Sequence, residues 1–301
     1  MSVRRIADRS NGGLLFDRHA DAAGAVAFTP QATAMPSTAP AILREPTVTL
    51  LARPQFSAPA HLPVQSAGES TDGERLVEFA GRLRTMSQRN PAGRPTREYL
   101  ALIKRQEQGS ALEHATYTLL LEGVSRSVAH ELRGHRAGFA FTELSQRYVD
   151  DTDACFVMPP AIIGDASLEA AWLTQVTGAH ERYLALVNAM MTRYGWVDDK
   201  VHRRKMAREA AAGVLPNSAE TKLVVTGNAR DWRTMLEAKA IESAELELRR
   251  LALVVLQVMQ GEAPAFFSDF EIYDASDRHP AARVTVNRKS SDKSWRGASD
   301  T

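Results

Sequence analysis

The chain has 301 residues, 44% of them apolar, and a formal net charge of +1. That supplies core material for one large domain or two small ones, and leaves no global field to draw the chain to nucleic acid or an anionic membrane surface. The single cysteine, Cys155, excludes a disulfide framework and a cysteine-rich metal site, so the expected setting is the reducing cytoplasm, with no membrane partner and no metal.

Residues 1–45 read as a flexible extension. Arg4, Arg5, Arg9 and Arg18 alternate with Asp8, Asp17 and Asp21 and precede no apolar core, unlike a secretory signal or transit peptide. Thr29–Pro40 (TPQATAMPSTAP) holds too little apolar surface to offset the entropy of ordering. A domain is expected over 46–275 and a loose polar tail over 276–301.

Within that domain, Val48–Ala52 between Pro46 and Pro54 predicts a short strand. Glu74–Met86 predicts a helix with Leu76, Phe79, Ala80 and Leu83 on one face, and Arg97–Gln106 another with Tyr99, Leu100 and Ile103. Thr116–Leu121 reads as a strand entering the core. Val124–Arg133 switches to helical period through Val124, Val128 and Leu132. Phe139–Phe141 is extended. After Pro159 and Pro160, apolar positions from Leu168 to Tyr194 keep three-to-four spacing and stop at Gly195. A basic helix, Lys200–Ala212, follows, then a strand at Leu223–Thr226. Asn228 or Asp231 is expected to cap one long helix running to Gln260 through Leu236, Ile241, Leu248, Ala252, Val255 and Met259. With no alternating strand–helix rhythm, the fold class is α+β: a helix-rich single domain with a central mixed or antiparallel sheet.

The chemistry concentrates in Arg126–Tyr148, RSVAHELRGHRAGFAFTELSQRY. Arginine and histidine at such density are costly to bury unless they meet phosphates, carboxylates or a planar ring. Two readings are open on residues alone. One is a ligand site, in which His135 and Arg136 meet a phosphate or ring edge and Ser145 with Arg147 forms an anion cradle. The other is an internal network, in which Glu131 and Glu143 neutralise Arg133, Arg136 and Arg147. No nucleophile elbow, P-loop, dinucleotide glycine fingerprint or zinc spacing is present. His202 beside Arg203 and Arg204 reads as a solvated basic face, Cys155 as a small core residue, and His180 as a helix-surface residue.

Several segments in order resemble the flavin-dependent thymidylate synthases, from about Val48 to Phe270. That family's signature is Arg-His-Arg, seven residues, then Ser, with a Glu-x-Ser-x-Arg-Tyr ending; here it stands as Gly134-His135-Arg136, eight residues, then Ser145, with Glu143, Arg147 and Tyr148 in place. Leu112–Thr118 (LEHATYT), Ser125–Leu132 (SRSVAHEL), Arg204–Thr221, Val224–Trp232 (VVTGNARDW) and Ala238–Ala252 resemble the family's remaining segments.

The resemblance implies that family's α+β fold, a homotetramer, and FAD held between subunits. The reaction it implies is C5 methylation of dUMP to dTMP, with methylenetetrahydrofolate as carbon donor and NADPH as reductant. By position, it assigns FAD to Thr116, Gly134, His135, Arg136, Glu143, Asn228 and Arg230. It assigns dUMP to Arg126, Glu131, Ser145, Gln146, Arg147, Lys205 and Lys239, with Lys239 and Ser145 as the catalytic pair. The departures fall on functional positions. Gly134 replaces the first arginine of the signature, and one residue is added before Ser145. Ala212 replaces a substrate-contacting arginine. Lys239 replaces the arginine credited with polarising the pyrimidine, and Ser243 a histidine. Arg133 and Arg208 stand close enough in sequence to offer replacement cations. The departures leave open a paralogous flavin enzyme for another pyrimidine or a different substrate, and a flavin- or nucleotide-binding homologue without turnover.

Overall fold

A computed structural model describes residues 40–62, 68–89, 93–106, 108–135, 137–149 and 154–285. Its centre is a four-stranded antiparallel sheet in the order β2-β3-β6-β4, with β2 at Thr47–Ala52, β3 at Thr116–Ser125, β4 at Ala140–Glu143 and β6 at Glu220–Asn228. The reason lies in the residues: along β3, Tyr117, Leu119 and Leu121 alternate into the core, and Leu223 and Val225 of β6 face the same way. Helices α6 (Ala229–Lys239) and α7 (Leu246–Glu262) cover that face with Trp232, Leu236, Leu248, Val255 and Leu256. Two further helices, α1 (Asp72–Leu83) and α2 (Thr96–Arg105), close one side; Thr71 and Glu74 form a reciprocal capping box that starts α1. The α+β class is as expected.

Five sequence expectations are corrected. The strand β3 does not stop at Leu121. Its register shifts between Leu121 and Val124 around Gly123, and pairing resumes at Val124 with Thr221 and Ser125 with Glu220. The bulge depends on Gly123, whose φ is +67°, and a Cβ there would lie 2.7 Å from the Glu45 carbonyl oxygen. Helix α3 therefore begins at Arg126 (Arg126–Arg133), with the Ser125 hydroxyl accepting from Val128 N at 3.1 Å. Gly123→Ala is expected to destabilise by about 2 kcal/mol, the scale of a left-handed non-glycine residue plus a clash, and to lower Tm by several degrees in a thermal melt.

The expected helix from 228 to 260 is two helices. Asn228 does cap the first, accepting from Asp231 N at 3.0 Å. At the far end the Ala240 carbonyl accepts from Ala282 N at 2.7 Å, and the Glu242 carbonyl accepts from Arg249 at 2.9 Å. Tertiary donors thus take carbonyls that another helical turn would have used. The donor Ala282 belongs to β8 (Pro280–Val284), which pairs antiparallel with β7 (Phe270–Asp274). The expected domain end at 275 therefore falls inside a hairpin, whose Ala281 and Ala282 are buried; positions 286–301 of the expected tail lie outside the described residues.

At the other boundary, β1 (Ala41–Leu43) pairs parallel with β5 (Cys155–Val157), so an ordered strand lies inside the expected 1–45 extension; residues 1–39 lie outside the described ones. Finally, His180 is not on the surface of α4 (Ala166–Arg193): it is 4% exposed, stacked on Tyr183 and edge-on to Phe156. Among the described residues no helix is long and apolar enough to cross a membrane.

Candidate functional site

The sheet delivers the charge-dense stretch to three places. The first is the junction of α3 and β4. Ser125 fixes the start of α3, and its own N–H donates to the Glu247 carboxylate at 2.8 Å. Arg126 and Arg133 lie seven residues apart on one face of α3. Both reach the Glu143 carboxylate at the end of β4, at 3.3 and 3.0 Å, and the Thr221 hydroxyl donates to the same carboxylate at 3.3 Å. Glu143 is thus committed to two guanidinium groups and a hydroxyl. It holds the arginines rather than standing ready for a neutral ligand.

On another face of α3, the helix meets the end of α6 at Lys239. Its Nζ lies 2.7 Å from Glu131 Oε1, and its side chain is 18% exposed against 55% for Glu131. The Lys239 hydrogen bond and charge hold the Glu131 carboxyl below the usual carboxylate range. His135 shares this neighbourhood: burial first, then the charge of Lys239, push its imidazole below its ordinary value, with Glu131 opposing. At neutral pH the arrangement is an ion pair flanked by a neutral imidazole, which offers one donor and one acceptor nitrogen. Gly134 follows the last turn of α3 as its C-cap and is exposed. Arg136 lies outside the described residues.

The second place is the turn after β4. Ser145 Oγ accepts from Arg147 N at 3.4 Å, and the Ser145 carbonyl accepts from the N–H groups of Tyr148 and Val149, so Ser145 and Gln146 sit on a tight turn. The turn leans on α5 (Lys200–Ala211). Arg147 pairs with Glu209 at 2.9 Å; Lys205 Nζ lies 4.8 Å from the centre of the Tyr148 ring and hydrogen-bonds its hydroxyl, which it holds below its ordinary pKa. A cavity of about 250 Å³ opens between turn and helix.

The third place is the start of α6. Thr116 and Asn228 are register partners at the ends of β3 and β6, and Arg230 stands exposed on the first turn of α6, paired with Glu113. Asn228 spends its side-chain carbonyl on the helix cap. A second cavity of about 350 Å³ lies beside Arg230, lined by Lys104, Arg105, Thr234 and the buried Arg233–Asp269 pair.

The expected site residues are therefore gathered in part only. Arg126, Glu131, His135, Glu143 and Lys239 cluster around α3; Ser145, Gln146, Arg147 and Lys205 form a second group; Thr116, Asn228 and Arg230 form a third. Along β6, the Glu143 partner Leu223 and the Thr116 partner Asn228 are five residues apart, about 17 Å. A ligand touching the first and third groups is extended, or a second copy of the chain completes the site. The structure also adds residues that sequence reasoning left out. Thr221 donates to Glu143 and Glu209 pairs with Arg147, each from an element distant in sequence, and no local pattern marks them. Tyr148 and Arg204 were visible as sequence, but their convergence on one cavity was not.

A family model described as thymidylate synthase complementing protein matches residues 68–265. A flavin-dependent thymidylate synthase of Mycobacterium sp. (strain JLS) is 41% identical over 236 residues, covering 76% of this chain and 92% of that protein. Those of Mycobacterium marinum and Mycobacterium tuberculosis are each 39% identical over 232 residues, with the same coverage. The matched span contains all three residue groups, and the chain belongs to the flavin-dependent thymidylate synthase family.

Proposed function

We propose that this protein is a flavin-dependent methyltransferase that makes dTMP from dUMP in the cytoplasm, with methylenetetrahydrofolate as carbon donor and NADPH as reductant. The observation that carries the reading is the Glu131–Lys239 ion pair with His135 near it, on a helix whose other face presents Arg126 and Arg133 to Glu143. It occurs in a chain about 40% identical to enzymes of that name over 92% of their length.

The donor set suits a flavin dinucleotide. Arg230 offers an exposed guanidinium at the edge of a cavity, Thr116 an exposed hydroxyl at the start of β3, and His135 a neutral ring nitrogen. Thr116, Gly134, His135, Asn228 and Arg230 would hold FAD, and Arg136 is proposed with them on position alone. Glu143 acts at one remove, by positioning two arginines. The separation of the first and third groups favours a homotetramer in which neighbouring subunits share each site. Bound FAD supplies the reducing equivalents that turn a methylene into a methyl carbon.

The chain's own residues do the rest. Arg126, Ser145, Gln146, Arg147 and Lys205 hold the nucleotide, with Arg147 on its phosphate. The task is positioning, because the nucleotide ring and a bound flavin would have to be held in one mutual orientation for reaction. Lys239, fixed by Glu131, places a permanent cation where negative charge develops on the pyrimidine as C5 becomes nucleophilic. Ser145 sits on the same turn as Arg147 and offers its hydroxyl to the nucleotide. The direct test is genetic: expression should restore thymidine-independent growth to a strain lacking thymidylate synthase. Failure of a well-expressed, FAD-loaded protein to do so would point to the related flavin enzyme with another substrate.

A further inference from the structure

We propose that Glu242 is a positioning residue for Lys239: it ties the segment after α6 to the turn of the β7–β8 hairpin, and that tie sets where the Lys239 cation stands. This rests on the reading of Lys239 given above. Lys239 is the last residue of α6, and helix ends fray unless their polar groups find partners. A group that serves a developing charge has to be held to within about 0.5 Å. Glu131 supplies one hold, at 2.7 Å, but its side chain is 55% exposed. An ion pair to so exposed a carboxylate fixes little by itself. The firmer hold is on the main chain.

Residues 240–245 join α6 to α7, and their polar groups are taken up by α7 and the hairpin. The Ala240 carbonyl accepts from Ala282 N at 2.7 Å. The Glu242 carbonyl accepts from Arg249 Nη1 at 2.9 Å. The Glu242 carboxylate accepts from Ser276 N at 3.1 Å and from the Ser276 hydroxyl. Glu242 is thus held at both main chain and side chain, three residues from Lys239 with Ala240 pinned between. A shift of Glu242 is therefore passed to the end of α6.

Arg249 closes the tie from the other side. It is 1% exposed, and a buried guanidinium is costly unless paired. Its Nη2 meets the Asp277 carboxylate, which also accepts from His279 N at 3.1 Å. Those two hydrogen bonds hold the Asp277 carboxyl below its usual range, so the bridge stays charged at neutral pH. Within the same turn Arg278 has a φ of +66°, a conformation disfavoured for a residue with a Cβ. Such a shape persists where surrounding contacts over-determine it, and the contacts to Glu242 and Arg249 flank it here.

The test is a double-mutant cycle of Glu242→Ala and Lys239→Ala in the full-length, FAD-loaded protein, read by single-turnover dTMP formation. Glu242→Ala is expected to slow that step about tenfold to a hundredfold, the scale of a small misplacement, with little change in dUMP affinity. In the Lys239→Ala background it should cost nothing further, because no cation is left to position. Glu242→Gln, which keeps an acceptor for Ser276, should recover most of the rate. Ser276→Ala, at an exposed position, should slow the step less than Glu242→Ala without lowering Tm. A wild-type rate for Glu242→Ala would overturn the proposal. An equal loss in both backgrounds would overturn it too, since Glu242 would then serve the fold alone. Lys239→Ala reacting at the wild-type rate would instead overturn the reading of Lys239. Hydrogen exchange over Lys239–Ala244 tests the tie without activity: Glu242→Ala should speed it, and unchanged exchange would refute the tie.

Discussion

Replacing Lys239 by alanine is expected to lower kcat for dTMP formation by about 100- to 1,000-fold, the loss seen when one preorganised donor to a developing negative charge is removed. The dUMP dissociation constant should change far less. The reason is the local geometry. Lys239 Nζ is anchored 2.7 Å from Glu131 and largely shielded from water, so its charge is fixed before substrate arrives. Such a group stabilises the charge of the transition state more than the neutral ring of the ground state. Two companion variants separate this from a structural role. Lys239→Arg keeps the charge on a planar fork and should stay within about tenfold of wild type, with the difference reporting geometry alone. Glu131→Gln removes the anchor but not the cation, and should lower kcat less than Lys239→Ala does. Single-turnover measurement with enzyme in excess reads all three.

The second large effect concerns stability. Arg233→Ala is expected to destabilise the fold by about 3–5 kcal/mol, the cost of removing one partner of a buried ion pair, and to lower Tm by about 10 °C. The Asp269 carboxylate receives both terminal nitrogens of Arg233, at 2.6 and 2.9 Å, and Lys104 Nζ at 2.9 Å, with all three side chains nearly buried. Burial alone would push the Asp269 carboxyl up. Hydrogen bonds and charge from Arg233, then Lys104, outweigh it and leave the group below its ordinary range. The stability this contributes is present above the unfolded value of about 3.9 and is lost as pH falls through the depressed folded value. Without Arg233 that acid-labile contribution should shrink, which a pH series of thermal melts detects. The same cluster holds the β7–β8 hairpin, because the Asp269 carbonyl accepts from Thr285 N at 2.8 Å. Loss of Arg233 should therefore loosen the end of α6 as well.

What could be read from sequence followed from how local each cause is. The helices α1, α2, α4 and α5 were legible because their apolar or basic periodicity survives in the folded chain, and β2 because prolines bound it. The break between α6 and α7 was not. Ala240–Glu245 contains neither glycine nor proline, and its carbonyls are taken by Ala282 and Arg249, both distant in sequence. The β7–β8 hairpin was missed for a related reason: PAARV carries little alternation, and burial of Ala281 and Ala282 comes from packing on α6 and α7. His180 looked like a surface residue because a lone histidine on a long helix gives no hint of the Phe156 and Tyr183 rings that enclose it.

In the site, the network reading of Arg126–Tyr148 holds for Arg133 with Glu143, whereas Glu131 pairs with Lys239 instead. Glu143 is the internal neutraliser of Arg133, as a salt-bridge network requires, and takes Arg126 as well. Arg147 pairs with Glu209 of α5, at the edge of a cavity. Composition could show that carboxylates and guanidinium groups were close in sequence. Which pairs close on each other and which face a cavity is decided by the sheet register, which no single segment encodes.

The most direct measurement of the central claim is NADPH oxidation by the FAD-loaded protein in the presence of methylenetetrahydrofolate, with and without dUMP, with the nucleotide product separated by chromatography. The account predicts that dUMP stimulates NADPH consumption and that dTMP appears in step with it. NADPH oxidation indifferent to dUMP, with flavin bound and no dTMP formed, would contradict it.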